Sequence, residues 1–308
     1  MTLGTDRYER IHSLGYDYTR QTMVEVTSCN LCGGQRFITL VHRDRYGFPA
    51  KANACLQCGL VFLNPVMTPE AYKEFYASVY RPLVSAYHRR RIDADTIQEE
   101  QQVYAQNLAA FLAPSMPANK CSTLLDIGGS TGVVAHYLAK QFGLAATVLD
   151  PAPLEIECAQ QLGLETIVGL IEDFRPDGRT FNVITLCQTI DHLLDVAATL
   201  DMIRRILSPS GIFFVDIVDF RAAYLRNWSI EEAVKIDHPY YLTEATIKAY
   251  LIRFGFDYLK KNYASDHLHI RYVCQLGVPR SDYVPSSGST EMLREVRMVQ
   301  NTTHDGVV

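Results

Sequence analysis

The sequence has no apolar run near the roughly 18 to 20 residues that a membrane-spanning helix needs. Its opening residues, Met1 to Arg20, are polar and charged and lack the apolar stretch of a secretion signal. We therefore expect a cytoplasmic protein without a membrane partner. For the same reason we do not expect a secreted disulfide scaffold, although the sequence holds eight cysteines.

An excess of positive charge is also absent. Lys and Arg number 29 against 34 Asp and Glu, which gives a formal net charge of −5 at pH 7. A chain that binds nucleic acid through its overall charge has the opposite balance. With 48% apolar residues over 308 positions, the chain can bury the core of one ordinary domain with a smaller one attached. We therefore expect a globular protein whose net charge does not favour a polyanionic partner.

Four of the eight cysteines form two pairs, Cys29 with Cys32 and Cys55 with Cys58, each followed directly by glycine. Two intervening residues let both thiolates of a pair reach one ion, and glycine permits the tight turn that follows. The pattern predicts a Cys₄ zinc site, with iron or two unrelated thiol pairs as the alternatives. Because four thiolates leave no coordination position for water, we assign the metal to folding and not to catalysis.

The segment after the second cysteine pair is predicted to be helical. Thr68 has the form of a helix cap, and a second helix is predicted from Asp93 to Leu112. Tyr76 and Tyr80 stand at helical spacing. They are candidates for a lid over the substrate, with packing between helices as the alternative. We expect a domain boundary between Pro114 and Ser122.

From Thr123 onward, short apolar runs alternate with helical patterns. This alternation predicts a parallel sheet covered by helices on both faces, the Rossmann-like α/β class. Two strands near the end are close enough to pair as an antiparallel hairpin. The predicted strands are 123–127, 146–149, 166–168, 183–186, 212–218, 256–263 and 269–276, and the predicted helices are 133–142, 154–162, 196–206, 243–254 and a short one at 291–299.

A glycine-rich turn follows the first of these strands. Leu124 to Gly132 runs from a buried strand through small residues into a predicted helix, so a ligand can lie against the backbone. Dinucleotide-binding folds usually space three glycines with one and then two residues between them, and this turn does not. A dehydrogenase is the alternative that the turn alone leaves open.

The turn resembles the first motif of class I S-adenosylmethionine-dependent methyltransferases. The match runs through Asp126, Gly128, Ser130 and Gly132, with Ser130 in place of a middle glycine and Gly129 beside it. In such enzymes the acid, here Asp126, holds the ammonium of the cofactor through the loop and water. The resemblance implies a seven-stranded methyltransferase sheet and S-adenosylmethionine as the cofactor.

Two further motifs of the same family follow in order. Asp150 ends the second strand and matches the acid that binds both ribose hydroxyls. The family then binds adenine through a carboxylate and a backbone N–H in a segment that matches Gly169 to Phe174. Leu170 departs from the common pattern, so either Glu172 or Asp173 is expected to supply the carboxylate. The expected cofactor contacts beyond the glycine turn are Asp150, Pro151, Ile171, Glu172, Asp173 and Gln188.

Two histidines are candidate bases. An oxygen or acidic-carbon acceptor must lose a proton during methyl transfer, and histidine titrates near neutral pH. His192 and His238 follow the fourth and fifth strands, at the sheet edge where open α/β folds bind ligands. Each follows an aspartate, Asp191 or Asp237, which we expect to orient its imidazole. Loop packing and helix capping are the alternative roles.

The whole layout resembles a family of bacterial methyltransferases, several of which modify nucleotide-linked deoxysugars. The resemblance rests on the cysteine pairs, on Cys58 to Pro65 and on the tyrosine-bearing helix. Members that methylate carbon have a Glu-His pair after the fifth strand; Asp237 and His238 stand there, but Lys235 replaces the family tyrosine. The resemblance implies a zinc module at 1–63, a helical lid or connector at 64–120, a methyltransferase domain at 121–279 and a tail at 280–308.

The resemblance implies a small acceptor, either a nucleotide-linked sugar or a related metabolite, with O- and C-methylation both open. The basic run His88 to Arg91 is a candidate for binding a diphosphate, with a solvated helix face as the alternative. A nucleic-acid methyltransferase is the second hypothesis, although Leu186 to Thr189 lacks a base-methylation motif. A non-catalytic scaffold is the third, because Ser130 and Leu170 replace commoner family residues.

Overall fold

The computed structural model describes residues 3–117, 122–285 and 288–304. Strands and helices alternate through the second half of the chain, as predicted. The strands are β1 (Met23–Val24), β2 (Phe37–Val41), β3 (Ala52–Cys55), β4 (Val61–Leu63), β5 (Val66–Met67), β6 (Thr123–Ile127), β7 (Ala145–Asp150), β8 (Glu165–Val168), β9 (Phe181–Leu186), β10 (Leu207–Val218), β11 (Tyr240–Tyr241), β12 (Phe256–Tyr263) and β13 (His269–Leu276). The helices are α1 (Leu3–His12), α2 (Pro69–Glu74), α3 (Tyr80–His88), α4 (Gln98–Leu112), α5 (Val133–Phe142), α6 (Pro153–Gln161), α7 (Val196–Ile206), α8 (Phe220–Asn227), α9 (Glu244–Arg253) and α10 (Gly288–His304).

A seven-stranded sheet forms the centre of the fold, in the order β12-β13-β10-β9-β6-β7-β8. Strands β6 to β10 are parallel, and β13 is antiparallel to both β10 and β12. Strand β6 pairs with β7 on one side and with β9 on the other. This reversal of strand order opens a crevice at the carboxyl ends of the strands, where Rossmann-like folds bind ligands. The predicted fold class is confirmed.

The helices that cover the sheet bury one apolar stripe each. In α7, Leu200, Ile203 and Ile206 recur at helical spacing and are buried, whereas Arg205 is exposed. The Asp195 side chain accepts the Ala198 N–H at 2.9 Å and caps the start of α7. The loop that ends at this cap carries His192, so the packing of α7 fixes the position of that loop.

The cysteine-bearing segment packs directly onto the larger sheet's helices. Its four-stranded sheet has the order β11-β4-β3-β2, so β11, from a distant part of the chain, completes it. Asn30 accepts the Ala197 N–H at 3.0 Å and donates to Asp195 at 2.8 Å, both at the start of α7. Leu60 and Phe62 are buried in the core cluster that contains α7. The segment is therefore joined to the loop region around His192.

The helical segment lies over the carboxyl edge of the larger sheet. Helix α2 begins at Pro69, and its N-cap Thr68 accepts the Ala71 N–H at 3.3 Å, as predicted. It continues through a π-helical turn, 75–79, into α3. The buried Tyr72 hydroxyl donates to the Ile236 carbonyl at 3.1 Å and ties this segment to the loop before β11. Tyr76 and Tyr80 therefore face the crevice from above.

Two predicted boundaries differ from the observed ones for local reasons. The helix predicted from Asp93 begins only at Gln98, because the Asp93 side chain accepts the N–H groups of Asp95 and Thr96 and closes a separate turn. The helix predicted at 291–299 is longer, and α10 buries Val296 against the N-terminal half of the chain.

Parts of three sequence predictions lie outside the described residues: 1–2 of the zinc module, 118–121 of the domain boundary, and 286–287 and 305–308 of the tail. Within the described ranges, no helix combines the length and apolar character needed to cross a membrane.

Candidate active site

A cleft of about 500 Å³ lies between the helical lid and the carboxyl ends of β6, β7 and β9. Its volume is within the range of small-molecule sites. Most of the predicted cofactor and lid residues border it together. They are Tyr76, Tyr80, Asp126, Gly128, Gly129, Ser130, Asp150, Pro151, Ile171, Glu172 and Gln188, and the candidate base His192 borders it as well.

The glycine turn needs its glycines for close packing. A Cβ on Gly129 would lie 2.8 Å from Asp126 Oδ2, and one on Gly132 would lie 2.7 Å from the Cβ of Ala159. Gly132 also has φ +76°, a conformation that side chains disfavour. Gly132 does not line the cleft and instead lets α5 start against α6. Ser130, in place of the family glycine, adopts φ +50°.

Asp126 presents a buried carboxylate beneath this turn. Its Oδ1 accepts from the Thr185 hydroxyl at 2.7 Å, whereas its buried Oδ2 has no hydrogen-bond partner among the residues that the structure describes. Burial raises the pKa of Asp126 to about 7. A buried acceptor without a partner is costly. This oxygen therefore fits a donor supplied by a ligand, such as an ammonium group, either directly or through water.

Asp150 holds the glycine turn and faces the cleft. Its Oδ2 accepts the Ser130 N–H and its Oδ1 accepts the Ala152 N–H, each at 2.9 Å. Burial, with a further contribution from Glu155, raises its pKa to about 7. A carboxylate oxygen has two lone pairs, so both oxygens retain acceptor capacity for a neighbouring diol.

The two acids of the third motif lie in different places. Glu172 lines the cleft and accepts the Leu194 N–H at 2.8 Å, and burial raises its pKa. Asp173 lies outside the cleft and forms an ion pair with Lys73 at 2.6 Å. Asp173 was predicted as a cofactor contact on sequence spacing, and its outward position does not support that role.

Three further residues close the glycine turn from the lid side, and the sequence reasoning missed them. Arg81 pairs with Glu155 at 2.6 Å, and Glu155 also bonds the Ser130 hydroxyl. Gln101 donates to the same hydroxyl at 3.1 Å. Glu155 stands in the first turn of α6, which is a visible signal, but its pairing with a lid residue 74 positions earlier depends on the tertiary fold.

The two candidate bases lie side by side, with ring centroids 4.4 Å apart. We predicted that each histidine would be oriented by the aspartate before it. Asp191 instead pairs with His238, Oδ2 to Nδ1 at 2.9 Å, while Asp237 Oδ2 lies 3.4 Å from His238 Nε2. Burial alone would raise the pKa of Asp191, but the facing His238 outweighs burial and the pKa is well below its ordinary value. His238 is thus enclosed by two carboxylates.

His192 is the histidine that borders the cleft. Its Nδ1 lies 2.9 Å from the Tyr76 hydroxyl, which also lies 3.1 Å from the Asp237 carbonyl oxygen. A carbonyl can only accept, so Tyr76 donates to it and accepts from Nδ1–H. This tautomer leaves the Nε2 lone pair free. Burial and the neighbouring His238 lower the pKa of His192 to about 4, so the ring is neutral at pH 7.

The ligand atoms of His192, Asp237 and His238 lie within 4.8 Å of one another, close enough for a metal site. Lys235 Nζ, however, lies 3.0 Å from His238 Nε2, and Asp191 faces the other ring nitrogen. Both nitrogens of His238 are therefore engaged. We describe the group as a hydrogen-bonded network and not as a metal centre.

The four paired cysteines converge, as predicted. Their sulfur atoms lie within 4.8 Å of one another, with Cys29 and Cys58 at 3.5 Å and Cys32 and Cys55 at 3.6 Å. Among the described cysteines none forms a disulfide. A tetrahedral ion with zinc–sulfur bonds of about 2.3 Å separates its ligands by about 3.8 Å, so this donor set fits zinc.

Comparisons with known proteins agree with this geometry. A family model described as a methyltransferase domain matches residues 97–261. A ubiquinone biosynthesis O-methyltransferase of Methylobacterium sp. (strain 4-46) is 30% identical over 105 residues, which are 32% of this chain and 41% of that protein. A glycine/sarcosine/dimethylglycine N-methyltransferase of Actinopolyspora halophila is 25% identical over 130 residues, 39% of this chain and 23% of that protein. The chain thus matches about two fifths or less of the length of these curated relatives.

A solved structure adds evidence on the fold. The plantazolicin methyltransferase BpumL, in complex with SAH, superposes with a TM-score of 0.50 and 16% identity, covering 67% of this chain and 94% of that one. At this identity the likeness shows the fold alone. The family model covers more than half of the chain. The chain therefore belongs to the methyltransferase-domain family.

Proposed function

We propose that the protein methylates a hydroxyl group of a small molecule and that His192 is the general base. The observation that carries this proposal is the free Nε2 of His192 at the same cleft as the glycine turn. The cofactor supplies an activated methyl group when bound. In the proposed arrangement Asp126 holds its ammonium, Asp150 its ribose hydroxyls, and Ile171 with Glu172 its adenine.

The proton of the acceptor hydroxyl passes to His192 Nε2 in this proposal. The ring is neutral at pH 7, because its pKa is lowered to about 4, and so the acceptor nitrogen is available. Nδ1–H donates to Tyr76, which holds the ring in place. The carboxylates of Asp191 and Asp237 favour the charged ring that forms after proton transfer. Tyr76 and Tyr80 contact the ring edge-on, each with centroids 6.0 Å away, and limit the entry of water.

Two observations support a hydroxyl group of a small polar molecule as the methyl acceptor. The relative named an O-methyltransferase favours oxygen over carbon. The resemblance to sugar-modifying methyltransferases favours a sugar or a related polar metabolite. A general base is needed for a hydroxyl, whereas an amine acceptor is already nucleophilic when neutral. N-methylation, the activity in the name of the second relative, is the outcome to test against.

A radiolabelled-methyl screen over polar metabolites, nucleotide sugars and a tRNA pool tests the acceptor class. We expect transfer to a small hydroxylated molecule. In the variant His192→Gln, kcat should fall about 10²- to 10⁴-fold, the range of general-base catalysis. Calorimetry should show unchanged affinity for S-adenosylmethionine. The control is His12→Gln, an exposed histidine of α1, which should leave both quantities unchanged.

Three outcomes would contradict the proposal. Full turnover in His192→Gln would remove this residue from the mechanism. Transfer to the tRNA pool alone would favour a nucleic-acid methyltransferase. Absence of any binding heat with S-adenosylmethionine would favour a non-catalytic scaffold.

We also propose that the four paired cysteines hold one structural Zn²⁺, which suits their donor chemistry and spacing. Metal analysis of the purified protein should find one zinc per chain. The variant Cys58→Ser should contain no zinc and should no longer show a cooperative unfolding transition when measured at 25 °C. Cys158→Ser, at a partly buried thiol outside the cluster, is the control. A folded wild-type protein without metal would contradict this assignment.

The cysteines that the structure describes form no disulfide, which suits a reducing compartment. We therefore propose a cytoplasmic location.

A further inference from the structure

A second cavity, of about 360 Å³, lies on the far side of His238 from the cofactor cleft. Asp191 and His238 line it, and the adjacent His192 lines the cleft. The two spaces therefore adjoin at this pair of histidines, whose ring centroids are 4.4 Å apart. The basic side chains at this cavity are Arg45, Arg226, Lys235, His238 and His269.

Arg45 is the cationic group with the least compensation. Its partly buried guanidinium lies 4.4 Å from the ring centroid of Tyr87, and its Nε is buried without a hydrogen-bond partner. Within the described ranges, no carboxylate forms an ion pair with it. Keeping a cation away from water without a partner is costly, so such a group is expected to bind an anion in the working protein.

Lys235 lies beside Arg45 because two backbone contacts join their segments. The Arg45 N–H donates to the Val234 carbonyl at 2.9 Å, and Asp44 Oδ2 accepts the Ile236 N–H at 3.0 Å. The Lys235 ammonium also lies 3.0 Å from His238 Nε2. Burial lowers the pKa of Lys235, and Arg45 also lowers it, so the two charges lie near each other and next to the proposed proton-transfer network.

The acids near the cavity do not form an ion pair with Arg45. Asp191 pairs with His238, and Glu232 accepts two hydrogen bonds from Arg7, at 2.6 and 3.2 Å. Asp237, which faces His238, acts through its charge on Lys235. Within the described ranges, Arg45 therefore has no carboxylate as a counter-ion.

The basic run His88 to Arg91 differs from this pair. Arg89 pairs with Asp6, Arg90 with Glu100 and Arg91 with Asp93. These arginines are compensated within the protein, so the run is a poor candidate for the phosphate site that its sequence suggested. His88 itself lines the cleft, and its pKa is lowered by burial and by Arg45, Arg90 and Lys235. The uncompensated cations thus lie near the acceptor end of the cleft.

We infer that the acceptor carries an anionic group, a carboxylate or a phosphate, which binds Arg45 and Lys235 while its hydroxyl faces His192. This inference rests on the proposed function and names its substrate class. Arg45 supplies up to two parallel N–H donors and Lys235 a second charge, the pairing that binds planar carboxylates and phosphates well.

Calorimetric titration of the SAH-saturated protein with inorganic phosphate, and separately with benzoate, tests the inference without any turnover. We expect millimolar or tighter binding of at least one anion. Arg45→Gln and Lys235→Gln should each weaken that binding at least tenfold, and Arg45→Lys should retain part of it. Arg91→Gln, which removes an exposed and already paired arginine, is the matched control. Stronger binding of phosphate than of benzoate would indicate a phosphorylated acceptor, and the reverse a carboxylic acid.

Two results would overturn the inference: no binding of either anion to the wild type, or equal binding by Arg45→Gln and Arg91→Gln. If Arg45→Gln does not fold, Arg45→Lys and Lys235→Gln decide the question. His192→Gln should bind the anion like the wild type. Failure of the base assignment would therefore leave the anion site intact, and failure of the anion site would leave the base assignment intact.

Discussion

The two sides of the cleft are built in different ways. The cofactor side comes from one continuous stretch, from Asp126 to Glu172, in which each strand of the sheet delivers a short loop to the same edge. The acceptor side combines Tyr76 of the lid, the loop at Asp191 and His192, and the loop at Asp237 and His238. The order of the strands determines the cofactor side. The acceptor side forms only when the lid and the cysteine-bearing segment pack onto the sheet.

This difference separates binding from proton transfer. On the cofactor side, burial raises the pKa values of Asp126 and Asp150, and their oxygens can accept hydrogen bonds from a ligand. On the acceptor side, Asp191 and Asp237 have lowered pKa values because they face His238. A substitution on one side should therefore change one step and spare the other.

The largest expected effect on cofactor affinity belongs to the cofactor side. Asp150→Ala removes an acceptor for the ribose hydroxyls and should weaken S-adenosylmethionine binding about 100-fold, the loss of charge-assisted hydrogen bonds worth roughly 1.5 to 3 kcal/mol. Asp173→Ala, which removes the acid outside the cleft, should leave the affinity unchanged. Calorimetry measures both.

Turnover of Asp150→Ala at saturating cofactor should stay near that of the wild type. If Asp173→Ala weakened binding as much as Asp150→Ala, the assignment of the two acids would be wrong. If kcat fell with the affinity, the two sides of the cleft would not be separable.

The cofactor side could be predicted from the sequence because its signals are local. The glycine turn and Asp150 each follow a strand within a few residues, so their position follows from the strand order alone. Spacing could not separate Glu172 from Asp173, since which of two neighbouring acids faces inward depends on the turn of the short helix at 171–173.

The acceptor side could be predicted only in part. The sequence shows the residue types of His192, His238 and the lid tyrosines and their positions relative to the strands and helices. The hydrogen-bond partner of each residue, however, depends on contacts between distant segments. Asp191 was expected to orient its neighbour and instead faces His238. Arg45 gave no signal at all, because its proposed role depends on its proximity to Lys235, 190 positions away, and on its having no ion-pair partner within the described ranges.

An effect of intermediate size concerns the pH dependence of turnover. His192 must be neutral to accept a proton, and its pKa is lowered to about 4 by burial and by His238. The acid limb of kcat should therefore lie well below the ordinary histidine value of about 6.5. In His238→Gln the second cause is removed, so the pKa of His192 rises and the acid limb should move to higher pH.

The measurement is a pH profile of kcat at saturating cofactor, so that ionisation of Asp126 and Asp150 does not enter through cofactor binding. The sign is diagnostic: a variant with an unchanged limb would show that His238 does not influence the base, and a limb that moved down would contradict the charge arrangement.

The smallest expected effect tests how the cysteine-bearing segment supports the acceptor side. Asn30 accepts the Ala197 N–H and the Tyr250 hydroxyl and donates to Asp195, so it braces the start of α7 just after the loop of His192. Asn30→Ala leaves these partners unsatisfied and should reduce the free energy of unfolding by about 1 to 2 kcal/mol. Thermal unfolding measures this, with the exposed Asn262→Ala as the control.

The hydrogen bonds lost in Asn30→Ala lie at the end of the His192 loop and far from Asp150. The value of kcat should therefore fall a few-fold while the affinity for S-adenosylmethionine is unchanged. A loss of cofactor affinity instead would mean that the cysteine-bearing segment supports the whole cleft and that its two sides are not independent.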